Sequence, residues 1–196
     1  MNYLGLDLSL TATGFYLIRE DGSTLAFEIN TKPENFTTDI ERADHIANAI
    51  LSNIASLRGN LFIVLEDYFT GKNPGSAIKL ATLGTMVRYR LLKDGFSFIA
   101  IMPMQIKKFE TGSGTAAKDN MMKSVFKKHG FDTNSNNVAD ACAMAYTGKG
   151  IYEWQNGRTD FTKTEKEVLK KIEKERAVTE PYSFDMDKVR IKGESK

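Results

Sequence analysis

Only one cysteine and two histidines occur in 196 residues. A lone cysteine, Cys142, excludes an intramolecular disulfide, and its neighbours Ala141, Ala143 and Ala145 mark it as a small core residue. His45 and His129 complete no zinc-ligand spacing with it. No apolar run approaches the ~18 residues that span a bilayer. The start, Met1-Asn2-Tyr3-Leu4-Gly5, lacks the basic residues and long apolar stretch of a signal peptide. Together these absences fit a reducing, cytoplasmic setting without a membrane partner. Net charge is scarce as well: 27 Lys and Arg stand against 25 Asp and Glu, a balance of +2. Any attraction for a polyanion must therefore come from local charge. Residues 105–128 supply it, with six lysines against Glu110 and Asp119. By charge alone this stretch equally describes a solvated helix face.

What is present is a patterned α/β chain with an ordinary 41% of hydrophobic residues. Residues 2–9, 14–19 and 23–30 read as strands joined by short turns, which implies an antiparallel meander. Apolar residues at helical spacing follow over 38–57. Leu61–Glu66 is short and nearly all apolar, as a buried parallel strand is. A helix over 76–93, a strand over 96–101 and helices over 116–129 and 136–147 complete one five-stranded mixed α/β domain, residues 1–148. Residues 149–196 form a C-terminal extension. Thr164-Glu165-Lys166-Glu167 offers a capping box there, and Val168, Leu169 and Ile172 give a thin apolar stripe that must dock on something.

Three acids stand where this element order can unite them. Asp7 ends the first strand, Glu66 closes the fourth, and Asp140 lies early on the helix after Asn136. Each alone has an ordinary explanation: a turn cap, a strand-end surface acid beside Asp67, a first-turn helix acid. On alternating strands, however, Gly5 and Asp7 share a face, as do Val64 and Glu66. A helix laid across that sheet end would add Asp140, with Asn137 beside it at i, i+3. Buried like charges are costly, and a divalent cation is the usual compensation. Oxygen donors without His or Cys suit Mg²⁺ or Mn²⁺. Two such ions ~4 Å apart support phosphodiester cleavage.

These residues closely resemble the RuvC-type Holliday junction resolvases of the ribonuclease H-like superfamily. The resemblance rests on Gly5-Leu6-Asp7-Leu8-Ser9 with Thr13-Gly14, Glu66-Asp67-Tyr68-Phe69 with Lys72-Asn73, and Gln105-Ile106-Lys107. Thr111-Gly112-Ser113-Gly114 with Lys118, and Ala139-Asp140-Ala141, complete it. It covers about residues 3–147 and implies a ribonuclease H-like fold and a metal-dependent endonuclease that cuts four-way and other branched DNA. Asp7, Glu66 and Asp140 would be catalytic metal ligands for two ions. Lys118 would assist catalysis and, with Lys107 and Lys72, hold phosphates. Phe69 would contact bases at the crossover. Paired cuts leaving 5′-phosphate ends imply a homodimer, for which Leu83, Met86, Val87 and Leu91 on helix 76–93 are the candidate contacts. A bacterial or phage origin fits the size.

The family's fourth metal-site residue, commonly Asp, corresponds to Asn137. An amide can ligate through its oxygen but brings no charge, so an aspartate there should serve at least as well. The neutral residue also leaves room for a junction-binding protein with weak cleavage. A related nuclease acting on forks or RNA is a second alternative. An actin-like ATP-binding domain is a third, and the chain is too short for it.

Overall fold

Strand β1, Asn2–Asp7, alternates between two environments. Leu4 and Leu6 enter one core, with Phe15, Leu17, Ile63 and Leu65, while Tyr3 enters another with Tyr16 and Val64. Period-two side chains thus send one sheet into two helical layers. The computed structural model describes residues 1–67 and 74–175. Its strands are β1, β2 (Ala12–Ile18), β3 (Thr24–Asn30), β4 (Leu61–Glu66) and β5 (Phe98–Ile101). They lie in the order β3-β2-β1-β4-β5. The β1–β2 and β2–β3 pairs are antiparallel, and β4 runs parallel to both β1 and β5. This is the meander followed by parallel βα units that the turn spacing predicts.

Helices α1 (Asp39–Ile54) and α2 (Pro74–Lys93) cover the first face. Thr38 caps α1 by accepting from the Glu41 amide, and Ile46, Ile50 and Ile54 pack inward. Leu83, Val87 and Leu91 of α2 are also fully within this core, at 0, 1 and 1% exposure. They cannot be the dimer contacts that the sequence suggests. Spacing by four puts them on the helix face turned to the sheet, and of that set only Met86 borders the outward apolar groove.

The opposite face carries α3 (Pro103–Thr111), α4 (Lys118–His129), α5 (Asn136–Gln155) and α6 (Lys163–Glu175). Helix α5 runs well past residue 147, where the sequence pattern suggests an end. Glycines weaken isolated helices, yet Gly148 and Gly150 are required here. A Cβ on Gly148 would lie 2.7 Å from Val64 Cγ2, and one on Gly150 2.6 Å from the Phe109 ring. The 148/149 division therefore meets α5 in mid-length. Val168, Leu169 and Ile172 of α6 are buried in the same core as Phe109 and Val125, so the apolar stripe finds its dock against α3. No helix among the described residues is long and apolar enough to cross a membrane.

Candidate active site at one end of the sheet

Gly5 and Gly14 decide where the acids meet. A Cβ on Gly5 would sit 2.0 Å from the Ala141 carbonyl oxygen, and one on Gly14 2.1 Å from the Asn137 carbonyl oxygen. No real atom tolerates such distances, so both strands must present bare backbone for α5 to lie directly on them. The first turns of α5 are thereby pressed against the end of β1. Asp7 pairs with Gly14 across β1–β2, and Leu6 stands opposite Leu65 in the parallel β1–β4 pair. One step further along, Asp7 and Glu66 become neighbours at the same sheet end. Asp140, one turn after Asn137 on α5, completes the group.

Local bonds hold the chain where it leaves the sheet. Thr13 is fully buried; its hydroxyl accepts from the Ser9 amide at 3.1 Å and donates to the Ser9 carbonyl at 2.7 Å. The β1–β2 turn is thus closed directly after Asp7. At the end of β4, the Arg88 guanidinium of α2 donates to the Glu66 carbonyl at 2.9 Å and lies 3.7 Å from Asp67. The Asp67 amide donates to the Ile101 carbonyl, continuing the ladder to β5. Ser135 caps α5 by accepting from the Val138 amide at 3.1 Å, and a helix N-terminus favours nearby negative charge.

The electrostatics give the acids one shared environment. Burial raises the Asp7 carboxyl well above its usual 3.8, and the charges of Asp140 and Glu66 raise it further; only Lys118 opposes them. Burial and then Asp140 raise Glu66, against Lys107. Asp140 is raised by burial and eased by Lys107 and Lys118. Lys107 rises from α3, directly after β5, and Lys118 is the first residue of α4. Two lysines on two helices thus face three carboxyls from three other elements. Among the described residues no three His, Cys, Asp or Glu side chains are gathered closely enough to hold a metal ion as they stand. As a donor set the three carboxylates remain all-oxygen, which suits a hard divalent ion.

The profile of the family described as crossover junction endodeoxyribonuclease RuvC matches residues 3–148. This chain belongs to the RuvC family. The RuvC of Mannheimia succiniciproducens is 28% identical over 151 residues, 74% of this chain and 73% of that one. The RuvC of Sphingopyxis alaskensis is 33% identical over 120 residues, 60% of this chain and 76% of its own. In structure, T. thermophilus RuvC in complex with a Holliday junction substrate superposes with a TM-score of 0.67 at 23% identity, covering 80% of this chain and 96% of that one. The ribonuclease H-like fold of the RuvC family is therefore the fold of this chain.

Of the residues singled out from sequence, Asp7, Glu66, Asp140, Lys107 and Lys118 come together, and Asn137 lies one turn before Asp140 on α5. Phe69 and Lys72 lie outside the described residues. Sequence reading misses Glu28 of β3. It pairs with Gly14 and so stands in one transverse row with Asp7, accepting from the Ser135 hydroxyl and, at 3.3 Å, from the Asn137 amide nitrogen. Its parity on β3 matches that of Ala26, which packs on the α5 side, but only the strand register shows which site that side belongs to.

Proposed function

We infer that this chain is a divalent-cation-dependent endonuclease that cuts four-way DNA junctions. The observation that carries this is the cluster of Asp7, Glu66 and Asp140, all held above their usual protonation range and countered by Lys107 and Lys118. Asp7, Glu66, Asp140 and the Asn137 amide oxygen would hold Mg²⁺ or Mn²⁺. Two bound ions would supply an activated water and charge stabilisation at the leaving oxygen. The protein's own residues do the rest. Lys107 and Lys118 grip phosphate oxygens beside the acids, fixing the scissile phosphodiester. Lys118 also offsets the negative charge on the non-bridging phosphate oxygens during attack. By the family resemblance, Lys72 and Phe69, which follow β4 in sequence, would contact a further phosphate and crossover bases. Products carry 5′-phosphate and 3′-hydroxyl ends. The nuclease unit comprises residues 1–148 with the remainder of α5, and helix α6 completes its core. Work on chromosomal or phage DNA places the enzyme in the cytoplasm.

Paired cuts need two sites, and an apolar groove on α1 and α2 supports a homodimer. Ile78 and Tyr89 of α2, with Ile40 of α1, are 68, 53 and 59% exposed and line it with Ala81, Thr85 and Met86. Apolar groups this exposed on one face mark an interaction surface.

The test is a Mn²⁺-dependent nicking assay on four-way junctions, forks, RNA–DNA hybrids and plain duplex, with Asp7→Asn as control. Preferential, symmetric cutting of the junction is expected. Binding without nicking, or equal cutting of the hybrid, would remove the reading. Sedimentation of Ile78→Lys with Tyr89→Lys should give a monomer where the wild type gives a dimer.

A further inference from the structure

We propose that Glu28 is a positioning residue for Asn137, fixing which end of its amide faces the acidic cluster. The inference rests on the metal-site reading above and deepens it.

The Asn137 Nδ2 donates to Glu28 Oε1 at 3.3 Å. A carboxylate can only accept, so it sorts the two ends of the amide: nitrogen to Glu28, oxygen away from it. The oxygen is the end able to ligate a cation, and Asn137 shares its helix face with Asp140. The same Glu28 oxygen accepts from the Ser135 hydroxyl, which itself caps α5 through the Val138 amide. Glu28 therefore ties the start of α5 to β3 while orienting the side chain two residues on. The sheet makes this possible. Asp7, Gly14 and Glu28 form one row across β1, β2 and β3. Gly14 contributes no side chain, and the α5 backbone at Asn137 fills the gap between the two acids.

This arrangement reverses an expectation from sequence. Asn137→Asp would not restore a fuller site, because it would replace the N–H that Glu28 accepts with a second acceptor. A neutral amide at position 137 is the partner that Glu28 requires. Exchanging the two groups in E28Q/N137D, so that an amide on β3 donates to a carboxylate on α5, restores the donor–acceptor pair and keeps its total charge.

The test compares full-length wild type, N137D, E28Q/N137D, E28A, D7N and D140N. Readouts are Mn²⁺ affinity by calorimetry without DNA, metal-free melting temperature, and junction nicking. N137D should bind Mn²⁺ about tenfold more weakly, the lower range for loss of an outer-shell partner. E28Q/N137D should return to within about threefold of wild type, a non-additive cycle expected of residues in contact. An N137D protein that binds as tightly as wild type, or a double variant no better than N137D, overturns the assignment. Should N137D melt below the assay temperature, E28A carries the test: the released amide should weaken Mn²⁺ binding about tenfold, and unchanged affinity overturns the assignment. Loss of Mn²⁺ binding in D7N and D140N keeps the metal site standing if Glu28 fails. Retained binding in both removes the site and the assignment together.

Discussion

Leu4 and Leu6 leave β1 toward α1 and α2, while Tyr3, Gly5 and Asp7 leave it toward α5, and the two sides differ in how closely helix backbone approaches the strands. On the first side, bulky aliphatic and aromatic residues from strands and helices fill the space: Phe15, Leu17, Ile46, Ile50, Leu65 and Leu83 are at most 1% exposed. On the second side, α5 offers Ala139, Ala141, Cys142, Ala143 and Ala145, and the strands offer Gly5 and Gly14. Large residues hold layers apart at side-chain distance. Small ones let helix backbone touch sheet backbone. The site needs the second arrangement, because Asp140 has a short side chain and comes near Asp7 only if α5 lies directly on β1 and β2. One face is filled by volume throughout; on the other, beside bulky Tyr16 and Ile101, missing volume at Gly5 and Gly14 supplies proximity.

The strongest break in this comparison comes from the charges themselves. Asp7→Asn, Glu66→Gln and Asp140→Asn should each reduce junction nicking by more than about 100-fold, beyond the usual range for outer-shell groups. Junction binding, measured by gel shift, should persist. Normal cleavage in any one would take that residue out of the site.

Next in size is a pair of substitutions one residue apart. Leu4→Ala removes a fully buried side chain from the volume-filled face. It should cost about 2–5 kcal/mol in a urea melt, yet leave cleavage intact at a temperature where the protein stays folded. Gly5→Ala adds a single carbon where the Ala141 carbonyl stands. It should cost about 1–3 kcal/mol, and the displaced α5 should abolish nicking even in the folded protein. If both variants lose activity in proportion to stability, the two faces are not functionally distinct.

A smaller effect should appear with pH. The carboxyls of Asp7, Glu66 and Asp140 are raised in the native state above their usual 3.8, 4.5 and 3.8. The folded protein then holds protons more tightly than the unfolded one, so stability falls as pH rises through the native values. In metal-free buffer the melting temperature of wild type should drop between about pH 4 and neutrality. Asp7→Asn should drop less, and Mn²⁺ at 100 times its dissociation constant should add about 2.7 kcal/mol at the upper end. Parallel curves for the two proteins would mean that the acids do not share a site.

The smallest effect concerns Lys118, which faces the cluster from outside the glycine-built contact. Lys118→Ala should lower the slope of log affinity against log salt by about one and slow nicking less than any acid substitution. An unchanged salt slope would remove the phosphate contact.

Much of this is legible before folding. Strand alternation places Asp7 with Gly5 and Glu66 with Val64, because period-two geometry is local. The meander and the parallel units follow from turn spacing. Three features are not legible, for one shared reason. The end of α5 escapes the sequence pattern because Gly148 and Gly150, poor helix residues in isolation, are held by Val64 and Phe109 from distant strands and helices. The outward face of α2 escapes it because helical spacing gives a stripe without saying which stripe meets the sheet; Leu83, Val87 and Leu91 do, while Ile78 and Tyr89 look outward. Glu28 escapes it because an acid on β3 gains meaning only through register with Gly14 and Asp7.

What the amino-acid order determined alone was therefore the menu: a mixed five-stranded sheet, three acids at element ends, a lysine-rich segment after β5, and an amide in place of a fourth acid. Tertiary structure decided how those parts are used. Contact between α5 and the two glycines set the distance between the acids, and Glu28 gave the Asn137 amide its direction. Local periodicity is written into neighbouring residues, whereas the approach of one backbone to another depends on side chains far apart in the chain.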